Sequence, residues 1–257
     1  MLNKCISLYT GNEKQSDFMT RQLFYIPFSF TFLLLLILIL IFGLGALFLG
    51  FILSAFMKIG FSAGDALLIL LLSLVGSSIN IPLAKLKSEI PAVRDSYVRF
   101  FGVSYRVPIR HLTRNETILA VNVGGAIIPV LISAYLLTQF PSSAPMAGAG
   151  ILIVAIITYS VARPIRGIGI ATPALIPPLT AAVAAILLSS FIHIPGCPID
   201  QCRVVTAYTG GVLGTLLGAD ILNLGKIKNL GAPVASIGGA GTFDGIFLSG
   251  FIALLLI

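Results

Sequence analysis

The sequence predicts an all-α, polytopic membrane helix bundle of about seven transmembrane helices. Three observations predict it. The chain is 57% hydrophobic with a mean hydropathy of +1.05. Charged side chains make up 10% of it, against about 25% in soluble domains. Its long uncharged stretches are each able to carry a helix across roughly 30 Å of hydrocarbon with every backbone hydrogen bond satisfied internally.

The polar segment 1–25, "MLNKCISLYTGNEKQSDFMTRQ" and the residues after it, is read as a cytoplasmic tail. It is too polar to be the apolar core of a signal peptide, and no small-residue cleavage site follows the first span, which is therefore read as a retained anchor. That first stretch, 26–56, lies among 36 uncharged residues between Arg21 and Lys58. It suits one long tilted helix or a hairpin broken at Gly43-Leu44-Gly45. Charge arbitrates. A single crossing with a cytoplasmic N-terminus puts 14 Lys and Arg inside and only Lys58 and Arg203 outside, whereas the hairpin gives 11 against 5. The single crossing is preferred.

The remaining spans are expected at 66–84, 117–138, 147–162, 171–193, 204–224 and 236–257, with 85–116 as the only long loop, basic and cytoplasmic. The third contains "NVGGAIIP", with Asn122, Gly124, Gly125 and Pro129, and the fifth opens on "TPALIPP", with Pro173, Pro177 and Pro178. Both runs are expected to interrupt regular helix hydrogen bonding. Between the fifth and sixth spans, "HIPGCPIDQC" falls on the outer face, where Cys197 and Cys202 either pair or remain thiols.

The excess of positive charge, +7, gathers on the cytoplasmic side, so anionic lipid headgroups of the bilayer are the expected partner and nucleic acid is not. His111 and His193 stand outside any ligand cluster, and no P-loop, H-E-x-x-H or G-x-S-x-G occurs, so neither a cofactor nor a metal is assigned. Oligomeric state is not legible.

Chemistry is expected in 204–257. Gly210, Gly214 and Gly218 recur every four residues and form a seam for close helix approach. At 100° per residue Asp220 stands off that seam and shares a face with Asn223 and, more loosely, Thr209. The following run, "NLGKIKNLGAPVASIGGAGTFDG", is glycine-rich, which suits irregular backbone, and ends on Asp244. Carboxylates at membrane depth mark function. Two facing carboxylates tend to share one proton, one serving as base and one as acid, which is the apparatus of aspartyl proteolysis. The same pair also suits uptake and release of a proton or Na⁺ in a carrier. Asn223, Gly239, Gly241, Thr242, Pro173 and Asn122 are the candidate substrate-binding or gating residues.

"GADILNL", "GAPVASIGGAGTFDGIF", "VNVGGAIIPVLIS" and "ARPIRGIGIATPALIPP" together resemble a family of prokaryotic multi-pass membrane proteins known only as a domain of unknown function, over most of residues 100–257. A more distant resemblance is to intramembrane aspartyl proteases of the presenilin and signal-peptide-peptidase type. It implies Asp220 as the first catalytic aspartate, Asp244 as the second, and Pro173-Ala174-Leu175 as a counterpart of their Pro-Ala-Leu motif, here placed before the aspartates. The leading expectation is thus an intramembrane aspartyl protease-like peptidase acting on a membrane-protein or peptide substrate. A cation- or proton-coupled transporter and a non-catalytic membrane scaffold are the alternatives.

Overall fold

A computed structural model describes residues 28–87, 94–100, 103–109, 116–165, 169–229, 232, 234–239 and 245–257. The N-terminal tail and His111 lie outside the described residues. The chain divides into two compact units, Met1–Gly50 and Phe51–Ile257. In the first, the described residues belong to helix α1 (Phe28–Lys58), whose side chains from Phe30 to Gly50 are exposed. Leu and Ile dominate it, and α1 passes Gly43-Leu44-Gly45 without a break. At 1.5 Å per residue its 31 residues reach about 46 Å, enough to cross a bilayer with tilt.

The second unit carries helix α2 (Ala63–Gly76). It begins where Ser62 accepts the Asp65 N–H on its hydroxyl and donates its own N–H to the Asp65 carboxylate, so two orphan amides are satisfied reciprocally. Strand β1 (Asn80–Lys87), the hairpin strands β2 (Arg94–Phe100) and β3 (Val103–Ile109), and β4 (Glu116–Asn122) follow. Beyond a π-helical turn at Val123–Ile127 come α3 (Ile128–Gln139), α4 (Ala144–Val161), the short pair β5 (Arg163–Ile165) and β6 (Gly169–Ala171), and α5 (Ile176–Phe191). Helix α6 (Ile199–Thr209) continues through π-helical Gly210–Gly214 and Leu216–Ile221 to a 3₁₀ segment at Leu224–Asn229. Strand β7 (Val234–Ile237) and α7 (Gly245–Leu255) complete the described chain.

The all-α expectation is therefore corrected. Strand β4 is the centre of a three-stranded sheet, antiparallel to β1 from Asn80↔Asn122 to Lys87↔Glu116 and parallel to β7 from Ile118↔Val234 to Val121↔Ile237. The span expected at 117–138 is strand, π-turn and helix, and that at 66–84 stops being helical after Gly76. The span expected at 236–257 opens in strand β7, and the expected loop 85–116 contains strands. Apolar β-branched runs such as Thr117-Ile118-Leu119-Ala120-Val121 suit a buried strand as well as a helix, and length alone does not separate the two. Three helical stretches are long and apolar enough to cross a membrane, Phe30–Lys58, Pro141–Val161 and Ile199–Ile221, and four shorter ones are apolar. Seven full-length spans are not what the described residues form.

Pro177 and Pro178 sit in the first turn of α5, where their missing N–H groups break no helical bond. The expected interruption there is a helix start. Ile52, Phe56, Ile132, Leu136, Tyr208, Phe247 and Phe251 form one core among the end of α1, α3, α6 and α7, while Leu119, Ala126, Ile227, Ala235 and Ile237 form another under the sheet. At the end of the unit away from the sheet, Lys58 donates to the carbonyls of Leu254 (3.0 Å) and Ile257 (2.6 Å). Lys58 also lines one pocket with Phe140 and Asp200. Cys197 and Cys202 are bonded there, with Cα atoms 5.9 Å apart. The first alternative left by their spacing is the one the fold adopts.

Candidate functional site

The site is assembled where three irregular pieces of backbone meet. Gly-Gly at 124–125 lets the chain leave β4 through a π-turn packed on the end of α2. A Cβ on Gly124 would collide with the Ser73 carbonyl and the Ser77 amide, and the Ser73 hydroxyl donates to the Gly124 carbonyl at 2.6 Å. Asn122 fixes the entry to this turn. Fully buried, it accepts the Gly125 N–H at 2.7 Å and donates to the Ser77 carbonyl at 2.6 Å and to Asn80 Oδ1 at 3.2 Å. Its polar atoms are thus committed to the fold.

The second piece ends β7. Gly238 and Gly239 both have positive φ, +81° and +86°, a conformation that glycine adopts at no steric cost. A Cβ on Gly238 would also stand 2.6 Å from that of Ala126, so this strand end can lie on the π-turn only as glycine. The third piece is the end of the α6 continuation, where Asp220, half-buried, accepts the Gly238 N–H on Oδ2 at 3.3 Å. The first aspartate is thereby tied to the glycine run that leads toward the second.

Helix α6 and its π-helical continuation are held on two sides. A Cβ on Gly214 would be 2.6 Å from Val154 Cβ, and one on Gly218 would be 2.9 Å from Thr158 Cβ, so the glycine stripe seats on α4. On another side, Gly211 approaches the Ser249 carbonyl and Gly250 of α7, and the Thr215 hydroxyl donates to Ser249 Oγ at 3.0 Å. Two π-helical stretches alter the turn angle, so the 100° wheel does not predict the faces. Thr209 spends its hydroxyl on the Val205 carbonyl at 2.7 Å. Asn223 folds back, donating Nδ2 to the carbonyls of Gly218 and Ala219, both at 2.9 Å.

Of the residues expected from sequence, the fold brings Asp220 to the Gly238-Gly239 turn and places Asn122 behind it, across the π-turn. Pro173 is exposed in the turn before α5, its carbonyl accepting the Ile176 N–H at 3.2 Å. Gly241, Thr242 and Asp244 lie outside the described residues. Gly238, Thr215 and Ser249 were not singled out from sequence; a glycine doublet marked the first, whereas a cross-helix hydroxyl pair leaves no periodic signal. Among the described residues no three His, Cys, Asp or Glu side chains come together.

Residues 74–256 match a protein family described as "Protein of unknown function (DUF1614)". No curated protein and no solved structure matches the chain.

Proposed function

Because the chain belongs to the DUF1614 family, whose description assigns no activity, we propose its function from geometry: an intramembrane aspartyl protease-like peptidase with Asp220 and Asp244 as the carboxylate pair. The observation that carries this reading is the register between α7 and the α6 continuation, which run antiparallel. Thr215 meets Ser249 through their hydroxyls. Asp220 lies five residues beyond Thr215, and position 244 lies five before Ser249, directly ahead of α7. With opposed chain directions, the count from Thr215 on to Asp220 and the count from Ser249 back to Gly245 both run toward the sheet, which is why the residue before Gly245 is proposed as the partner of Asp220.

The tether at Gly238 supports the same reading, since the six residues from 238 to 244 span at most about 20 Å. In the reaction, one carboxylate removes a proton from water as its oxygen bonds the scissile carbonyl carbon, and the protonated partner donates to the carbonyl oxygen. The tetrahedral intermediate then returns that proton to the partner. The base passes its proton to the amide nitrogen, the C–N bond breaks, and a carboxylic acid and an amine leave.

The substrate is a peptide segment within the bilayer. By their place in the chain just before Asp244, Gly239, Gly241 and Thr242 are assigned to substrate binding, with Pro173, Asn223 and the fold-bound Asn122 as gating residues. Residues 204–257 are the functional core of a multi-pass domain spanning 26–257 in the cell membrane, with residues 1–25 and the basic segment 85–116 cytoplasmic. The lipid bilayer is the protein's partner.

The test is cleavage of a spanning peptide by purified protein. Asp220→Asn and Asp244→Asn should each lower the rate by at least about 100-fold while leaving the melting temperature near that of the wild type. An inert wild type whose vesicles pass protons or Na⁺ in an Asp220-dependent way would establish the carrier instead.

A further inference from the structure

Two polar atoms beside Gly218 are buried without a hydrogen-bond partner among the described residues, Thr158 Oγ1 and Asn223 Oδ1. Both residues are fully buried. They approach Gly218 from different elements: Thr158, in the last turn of α4, stands against its Cα, and Asn223 donates to its carbonyl. The orientation of the Asn223 amide is imposed by its surroundings. Nδ2 faces two carbonyl oxygens, those of Gly218 and Ala219, so a flipped amide would set oxygen against oxygen. Oδ1 is therefore a fixed acceptor, three residues after Asp220, whose carbonyl also receives the Asn223 N–H at 3.2 Å.

A bare buried acceptor is costly, and a second bare buried group on the same glycine, the Thr158 hydroxyl, adds to that cost. A ligand that donates to Oδ1 and exchanges a hydrogen bond with Oγ1 removes both. Water does so with its two protons and its lone pairs, and buried water is held by two to four such partners. A hard cation takes about six to eight oxygens, and here the neighbouring carbonyls already serve an amide whose protons repel positive charge.

We propose that Thr158 and Asn223 form a buried water site beside Asp220, and that this water is the reserve from which the attacking water is drawn. The second half rests on the peptidase reading; the first does not. Thr158 and Asn223 are positioning residues, and the proton steps remain those of the two aspartates.

The experiment compares Thr158→Val, Thr158→Ser, Asn223→Ala and the Thr158→Val/Asn223→Ala double variant, each by melting temperature and by cleavage of a spanning peptide. If water bridges the two side chains, Thr158→Val lowers the melting temperature by about 2–4 °C and Thr158→Ser restores it. The double variant then falls short of the summed single losses, because the same water is lost twice. Thr158→Val should also lower kcat at least about tenfold with KM unchanged. A melting temperature unchanged or raised by Thr158→Val, as expected from removing an unsatisfied hydroxyl, overturns the water site. A coupled thermal loss in a protein that cleaves nothing overturns the peptidase reading and leaves the water site supported. Coupled thermal loss with kcat unchanged overturns the link between this water and the reaction.

Discussion

Asn122 shows how much one side chain decides at the exit of β4. Its oxygen satisfies Gly125 and its amide holds Ser77 and Asn80, so the π-turn, the end of α2 and strand β1 all depend on one buried group. Asn122→Ala leaves a donor and an acceptor buried without partners, and should lower unfolding stability by about 2–4 kcal/mol, read as a reduced denaturant midpoint. Asp220 differs because its carboxylate is half-buried and meets a backbone amide across the chain. Sequence alone marked Asp220 as a carboxylate at membrane depth and Asn122 as part of a helix-interrupting run, both as candidates for the site. It did not separate them, since whether a buried amide serves the fold or a ligand depends on which backbone groups the fold brings to it.

The elements around the site are joined by glycine. Gly214 meets Val154 and the Ile151 carbonyl, so a leucine there has no space to enter. Gly214→Leu should cost about 3 kcal/mol or more through overpacking. Leu152→Ala, on the exposed side of the same helix pair at 62% exposure, should stay within about 0.5 kcal/mol. Equal melting curves for the two variants would show that the stripe is not a seam. The four-residue spacing of these glycines was visible in sequence because close approach needs small residues at a helical interval. The π-helical stretches after Thr209 were not visible. They lie where the chain touches α4 on one side and α7 on another, and their wider turn moves Asn223 away from the face that a regular helix would give it.

Across the second unit, the two ends differ in chemistry. Lys58, Phe140, Asp200 and the Cys197–Cys202 bond gather at one end, and the sheet with Lys85 and Lys87 on β1 lies at the other. The charge count along the sequence predicts the basic segment on the inner face. Accessibility labelling of single cysteines should therefore modify position 200 and position 85 from opposite faces of the membrane. Modification of both from one face would invert or dissolve the proposed topology.

The sequence by itself determined that this chain is built from long apolar helices, that α1 is one continuous helix in preference to a hairpin, and that a glycine stripe joins the sixth element to a neighbour. These follow from composition, charge placement and spacing, which act locally along the chain. The three-stranded sheet, the π-turn after Asn122 and the tie between Asp220 and Gly238 were decided only by tertiary structure. An apolar run such as "ETILAVN" is a strand here because β1 and β7 lie on either side to take its backbone hydrogen bonds. Those partners come from segments about 30 to 40 residues before it and more than 110 after it, a pairing that no local periodicity encodes.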